Sequence, residues 1–204
     1  DNFIHPYREY ISVYIVPDKR YKGLGNLLYN ELKSRYQLRK LQAAFDSDNI
    51  NAVTFAIKCG FQLGRKSYCY HVNKEVLKPF NYNISGEIIK LSNLSKTQLE
   101  NVIILQHKDY KLNHRRINPL NENIKIEDWK KIICKDLEED SSYIFVKNNN
   151  IVAYLFCYEI DERSIAVGYT GSRCSNIKDY EAFLYEVVVR LFESWGTYIK
   201  DSPL

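Results

Sequence analysis

The segment Arg20–Gly25 combines residue types that could bind a phosphate group. Arg20 and Lys22 supply positive charge, and Gly23 and Gly25 have no Cβ, so the backbone could approach a bulky anion closely. If a helix begins here, its first N–H groups have no intrahelical partner and carry the positive end of the helix dipole. The turn therefore predicts a site for a phosphate or pyrophosphate.

Two elements must position this turn. Upstream, Tyr10–Val16 is rich in β-branched and aromatic residues and is followed by Pro17, which predicts a strand over Tyr10–Val16. Downstream, leucines recur at helical spacing and predict an amphipathic helix from about Gly23 to Arg35. These are Leu24, Leu27, Leu28 and Leu32.

The glycine spacing by itself excludes the two common phosphate motifs. No Gly-Lys-Ser/Thr follows Arg20, as a P-loop requires, and Gly23-Leu24-Gly25 lacks the third glycine of the dinucleotide fingerprint. Taken alone, the turn fits an ordinary connection with surface charges as well as it fits a phosphate site.

The residues around the turn resemble the acetyl-CoA signature of the GNAT superfamily of N-acetyltransferases, in which a strand ending V-x-P precedes R/Q-x-x-G-x-G/A. The matching residues are Val16–Leu28. A second block, Asn49–Phe61, resembles the family's N-x-x-A-x-x-F-Y-x-K-x-G-F pattern, and Lys40–Phe45 between them fits the intervening strand. The resemblance implies an α/β (α+β) GNAT fold, with a mixed central sheet flanked by helices.

The resemblance also implies acetyl-CoA as the acyl-donor substrate and assigns residues to it. In the family, strand backbone groups bind the pantetheine arm, which here points to Ile15 and Val16. Asn49 matches a family asparagine near the coenzyme, although its position also fits a plain helix N-cap. Backbone amides of the turn hold the pyrophosphate, and the turn positions are Arg20, Tyr21, Lys22, Gly23, Leu24, Gly25 and Asn26.

Acetyl transfer needs a base for the attacking amine and an acid for the leaving thiolate. Glu9 stands in the register of the glutamate that some GNAT enzymes use as a base through a water, and it also fits a solvated residue before a strand. The family's tyrosine after the phenylalanine of the second block is replaced by Ala56. Either Tyr68, Tyr70 or water protonates the thiolate, or catalysis has been lost.

Beyond a connecting segment around residues 74–83, the hydrophobic pattern predicts elements in the order of the front of a second GNAT domain. They are a strand at Glu87–Leu91, a helix capped by Ser95 and running to about Tyr110, a helix over Ile126–Leu137, hairpin strands Tyr143–Val146 and Ile151–Tyr158, a strand at Ser164–Tyr169, and a helix over Phe183–Trp195. The phosphate turn is absent from this second unit, because Thr170–Ser175 stands in its place.

The first unit also departs from the family pattern, since a strand, two helices and two further strands are expected before Tyr10 and only nine residues are present. Position 1 is not methionine, which agrees with strands missing from the chain as given. Three arrangements would account for this: a tandem protein with a degenerate second copy, a single permuted domain, or a partner chain, such as a second copy in a homodimer, that lends its strands. We favour the tandem, with residues 1–80 as the acetyl-CoA-binding half of a GNAT domain and 81–204 as a degenerate GNAT-like domain.

Composition narrows the class of protein. The net charge is +4 over 204 residues, and no nucleic-acid motif accompanies it. No apolar run is long enough to cross a bilayer, and no signal peptide begins the chain. The five cysteines form no C-x-x-C pair and the four histidines lack ligand spacing, which argues against a metal site. We expect a cytoplasmic protein that binds neither nucleic acid nor membrane.

The sequence therefore favours an acetyl-CoA-dependent N-acetyltransferase, an enzyme of the GNAT-type N-acyltransferase class. The acceptor would be a primary amine on an unidentified small molecule or peptide. The alternative is a non-catalytic acyl-CoA-binding or assembly protein with a degenerate GNAT fold, because Ala56 and the Thr170–Ser175 turn both depart from the family pattern.

Overall fold

The computed structural model of the chain describes residues 3–37, 40–68, 70–161, 164–195 and 198–201. Its backbone contacts divide the chain into two units. The first consists of the chain up to Lys66 together with Lys111–Ile124, and the second of Ser67–Tyr110 together with the chain from Lys125 onward. Each unit has a sheet of its own, with two strands in the first and six in the second.

The first unit contains two short strands and two helices. Strands β1 and β2 are parallel, with Glu9 opposite Leu41 at the centre of the register. A single 3-10 turn, Pro17–Lys19, precedes the first helix. In chain order the elements are β1 (Arg8–Tyr10), α1 (Leu24–Arg35), β2 (Lys40–Gln42) and α2 (Ile50–Lys58).

The strand predicted over Tyr10–Val16 is wrong, because β1 ends at Tyr10. One further bond, from the Ile11 N–H to the Gln42 carbonyl at 2.8 Å, closes the ladder. Residues 12–16 have no strand partner among the described residues, so the β-branched run continues without a ladder. The strand predicted at Lys40–Phe45 is likewise shorter, because β2 ends at Gln42.

Helices α1 and α2 pack closely through a glycine. A Cβ built on Gly25 would lie 3.1 Å from a ring carbon of Phe55 in α2. The Tyr29 hydroxyl donates to the Cys59 carbonyl at 3.0 Å, which joins the two helices one turn further on. Neither helix buries a residue fully, and Leu27 of α1 is 65% exposed.

The second unit is a mixed sheet with helices. The strand order is β3-β8-β7-β6-β5-β4, in which β7 and β8 are parallel and the other pairs antiparallel. The elements are β3 (His71–Asn73), β4 (Glu87–Lys90), α3 (Lys96–His114), α4 (Ile126–Ile133), β5 (Tyr143–Lys147), β6 (Asn150–Asp161), β7 (Ser164–Ser172), α5 (Ile177–Trp195) and β8 (Tyr198–Asp201).

Local sequence explains several of these elements. Asn148 and Asn149 both have positive φ, 51° and 60°, as a two-residue type I′ hairpin turn requires, and they join β5 to β6 as predicted. Ser95 and Gln98 exchange hydrogen bonds as a capping box before α3. Helix α4 ends at Ile133, short of the predicted Leu137, and Asp136 beyond it has a left-handed φ of 58°.

The hydrophobic core of the second unit lies between α5 and one face of the sheet. Its fully buried members include Phe145, Leu155, Phe183, Val187 and Leu191. The strands from β4 to β7 pair with one another in this sheet, whereas β1 pairs with β2. The choice between a tandem protein, a single permuted domain and a partner chain that lends its strands stays a prediction.

Candidate functional site

The segment Arg20–Asn26, called the phosphate turn here, is shaped by the 3-10 turn before it. The Lys19 N–H bonds to the Val16 carbonyl at 3.0 Å, and the Arg20 N–H bonds to the Pro17 carbonyl at 3.2 Å. Tyr21 and Gly23 then adopt left-handed backbone angles, with φ of 59° and 79°. These two positions reverse the chain into α1.

The phosphate turn leaves backbone donors unpaired at the start of α1. The first helical bond runs from the Leu27 N–H to the Gly23 carbonyl at 3.2 Å, so the N–H groups of Leu24–Asn26 precede the helical ladder. Gly23 offers no side-chain cap, and the first turn of α1 has no acidic residue. A Cβ on Gly23 would meet no atom within 4 Å, so the backbone there is open to an anion.

Arg20 is held in place by the chain itself. Its Nε donates to the Ile15 carbonyl at 2.9 Å, and its guanidinium lies 5.8 Å from the centre of the Tyr14 ring. Its terminal nitrogens make no hydrogen bond to a described residue. The guanidinium is therefore anchored on one edge and can bind an anion with the other.

The predicted pantetheine positions lie in extended backbone before the 3-10 turn. The Ile15 carbonyl accepts from Arg20 and the Val16 carbonyl accepts from Lys19. The N–H groups of Ile15 and Val16 have no backbone acceptor among the described residues. These donors, rather than the carbonyls, are what the segment offers to an extended amide-containing arm.

Asn49 is a helix cap in the structure. Its Oδ1 accepts from the Ala52 N–H at 3.1 Å and starts α2. The contact with coenzyme that the resemblance implies for Asn49 stays a prediction. Ala56 lies on α2, where it offers no proton for the thiolate.

Glu9 occupies the middle of β1, where neighbouring side chains alternate between the two faces. The segment Arg116–Asn121 is hydrogen-bonded to Arg8 and Tyr10, and the Tyr10 side chain is 52% exposed. The Arg8 Nη2 donates to the Arg116 carbonyl at 3.0 Å, and the Asn118 Nδ2 donates to the Tyr10 hydroxyl at 2.8 Å. Glu9 therefore points to the opposite face, and its role as a base stays a prediction.

Sequence patterns do not reveal this segment, which is hydrogen-bonded to β1. Near its end, the Asn121 N–H bonds to the Ile4 carbonyl at 2.9 Å. His5 Nδ1 lies 3.2 Å from the Pro119 carbonyl, and burial lowers the pKa of His5 although that contact favours the charged ring. The partners are more than a hundred positions apart, so no local pattern signals the pairing.

In the second unit, the first turn of α5 carries a buried carboxylate, that of Asp179. Asp179 is 2% exposed, and its oxygens accept from the Tyr82 hydroxyl at 3.0 Å and from Lys147 Nζ at 2.7 Å. The Lys147 hydrogen bond lowers the pKa of Asp179. Asn176 caps the same helix by accepting from the Lys178 N–H at 3.0 Å. The start of α5 therefore has a negative charge and a side-chain cap, whereas the start of α1 has neither.

Two further features concern the described ranges only. Within them, no helix combines the length and apolarity that a membrane span needs. No group of three or more His, Cys, Asp or Glu side chains there is arranged to hold a metal ion.

The sequence matches no family model and no curated protein, but solved structures match its fold. A GCN5-related N-acetyltransferase from Sphaerobacter thermophilus superposes with a TM-score of 0.69 at 15% identity, over 95% of this chain and 63% of that one. A GCN5-related N-acetyltransferase from Kribbella flavida gives 0.54 at 12% identity, over 96% and 71% of the two chains. A tandem GNAT protein from the clavulanic acid biosynthesis pathway gives 0.56 at 10% identity, over 97% and 66%.

The present chain thus spans less than two thirds of the length of the Sphaerobacter protein. At these identities the likeness concerns the fold. The chain therefore has the GNAT fold.

Proposed function

We propose that this protein is an acetyl-CoA-dependent N-acetyltransferase, a GNAT-type N-acyltransferase that acetylates a primary amine on a small molecule or peptide. One observation carries the proposal: the N–H groups of Leu24–Asn26 are unpaired at a helix start that has no acidic residue. The anchored guanidinium of Arg20 stands in the same turn. Together they suit the pyrophosphate of a coenzyme.

The two glycines of the phosphate turn have different tasks in this proposal. Gly23 permits the left-handed angle and leaves the backbone open to the pyrophosphate. Gly25 faces Phe55, so its missing Cβ serves the contact between α1 and α2. The N–H groups of Ile15 and Val16 would pair with the pantetheine amides.

In the reaction we propose, the amine nitrogen forms a bond to the thioester carbonyl carbon and the carbon–sulfur bond breaks. The amine proton passes through a water to Glu9, and the thiolate takes a proton from solvent. Ala56 removes the family's usual acid from α2, so water is the simplest donor. Tyr68 and Tyr70, whose rings stack at 6.3 Å, are the other candidates.

The second candidate function is a non-catalytic acyl-CoA-binding or assembly protein. Ala56 favours it, and so do the exposed leucines of α1, among them Leu27 at 65% and Leu28 at 45%. Both functions require binding of the coenzyme, but only the transferase requires transfer of the acetyl group.

Calorimetric titration with acetyl-CoA, followed by a thiol-release assay with a panel of amines, separates these functions. Binding with amine-dependent thiol release supports the transferase. Binding without release on any amine supports the second candidate, and absence of binding contradicts both.

A further inference from the structure

The side chain of Tyr21 is unused by the proposed pyrophosphate contacts. It is 89% exposed, although it is aromatic and lies within the phosphate turn. Its φ of 59° is left-handed, a conformation that bulky residues rarely adopt. Tyr21 is therefore an unfavourable residue for this position on backbone grounds, and burial of its ring does not compensate for it.

The surroundings of Tyr21 are polar on one side and apolar on the other. Its hydroxyl lies 3.5 Å from Asn51 Oδ1, at the first turn of α2. Ile50, next to Asn51, is 68% exposed. Lys22 follows Tyr21 in the chain, is exposed, and makes no ion pair with a described residue.

We infer that the ring of Tyr21 is the stacking platform for the adenine base of the acyl-CoA donor. Asn51 lies where its carboxamide can pair with the edge of the base, and Lys22 supplies charge for the 3′-phosphate. The inference rests on the proposed function, because the pyrophosphate must first be held at the start of α1. With this platform the chain binds a thioester carried on coenzyme A more tightly than one carried on phosphopantetheine alone.

Two physical facts support this assignment. Adenosine is joined to the pyrophosphate, so it must lie near the residues that flank the N–H groups of Leu24–Asn26. An aromatic side chain stacks on a base without needing a specific hydrogen-bond pattern, and a carboxamide presents both a donor and an acceptor to an adenine edge. Tyr21 and Asn51 place these two groups within 3.5 Å of each other.

The test is a binding cycle with two ligands and three proteins. Wild type, Tyr21→Gly and Tyr21→Phe are titrated with coenzyme A and with 4′-phosphopantetheine, which lacks the adenosine, its 3′-phosphate and one phosphate of the pyrophosphate. Glycine accepts the left-handed φ, so the backbone of the turn is retained. We expect Tyr21→Gly to bind coenzyme A about tenfold more weakly, from the usual contribution of base stacking, and to bind 4′-phosphopantetheine as wild type does. Tyr21→Phe should stay within about twofold of wild type for both ligands.

A second pair of ligands isolates the charge of Lys22. Lys22→Gln should weaken binding of coenzyme A and leave binding of 3′-dephospho-coenzyme A unchanged.

Equal losses for coenzyme A and 4′-phosphopantetheine in the Tyr21→Gly protein, or no loss for coenzyme A, would overturn the assignment of the adenine platform while leaving the proposed function intact. If wild type binds neither ligand, the proposed function fails and this inference fails with it.

Discussion

The Nε of Arg20 donates to the carbonyl oxygen of Ile15 at 2.9 Å, so the side chain that should face the pyrophosphate is oriented by the segment that should face the pantetheine arm. The two parts of the proposed coenzyme site are thereby joined through one hydrogen bond. A planar guanidinium can hold this bond on one edge and an anion on the other, whereas an ammonium cannot do so with the same geometry.

Arg20→Lys should therefore weaken acetyl-CoA binding although it keeps the charge. The expected loss is about tenfold or more, since a hydrogen bond to a charged group contributes about 1.5–3 kcal/mol. Calorimetry measures the loss. Arg35→Lys is the matched control, because Arg35 pairs with Glu31 at the other end of α1 and should leave affinity unchanged. Equal affinity of Arg20→Lys and wild type would contradict the anchoring role.

Gly25→Ala should lower the free energy of unfolding. The new Cβ would lie 3.1 Å from the Phe55 ring, so α1 and α2 must separate slightly, at a cost of about 1–3 kcal/mol that is partly offset by about 1 kcal/mol of helix propensity. Urea unfolding measures the net change. In a Phe55→Leu background the same substitution should cost less, and an undiminished cost there would contradict the contact. Gly25→Glu, by the same geometry, disturbs packing as well as charge and is a poor probe of the coenzyme site alone.

The stability of the first unit should depend on pH through His5. Burial lowers the pKa of His5 in the folded chain below its ordinary value of 6.5, so the unfolded chain takes up the proton first as pH falls. Above about pH 6.5 the ring is neutral in both states and this shift does not affect the free energy of unfolding, which falls as pH drops toward the folded pKa. We expect urea unfolding to show a steeper loss between pH 7.5 and 5 for wild type than for His5→Gln. Parallel pH profiles for the two proteins would contradict this.

One acetyl-CoA should bind per chain. The start of α5 already contains the Asp179 carboxylate, held by Tyr82 and Lys147, and like charge disfavours a phosphate there. Calorimetric stoichiometry checks this, with Arg20→Lys expected to weaken the single observed site. A second site that survives Arg20→Lys would show that the second unit also binds coenzyme.

Sequence patterns were sufficient where a structure is set by neighbouring residues. The helix after the phosphate turn, the Asn148-Asn149 hairpin and the Ser95 cap depend on spacing, turn chemistry and capping within a few positions, and all three were predicted. The fold class followed from the resemblance, which the likeness to solved structures confirms.

Sequence patterns do not predict the parts of the structure that depend on contacts between segments far apart in the chain. The end of β1 at Tyr10 depends on the three-residue length of β2, which the strand-like run of Tyr10–Val16 does not reveal. The hydrogen bond from Asn118 to Tyr10 and the one from Tyr82 to Asp179 each join residues about a hundred positions apart. The task of Gly25 was also hidden, because only the structure shows Phe55 against it.

Because β8 lies between β3 and β7, β3 joins the six-stranded sheet only through β8. The antiparallel strands β5, β6 and β7 follow one another closely in sequence and can pair as soon as they are made. Strand β3 is synthesised before all of them, yet its partner is β8, made after α5. Until β8 arrives, β3 and the outer edge of β7 each present unpaired backbone groups, a state in which chains associate wrongly. We therefore expect the β3–β8 edge to pair late, and chains in which it has not yet paired to be the form of this unit most prone to aggregate.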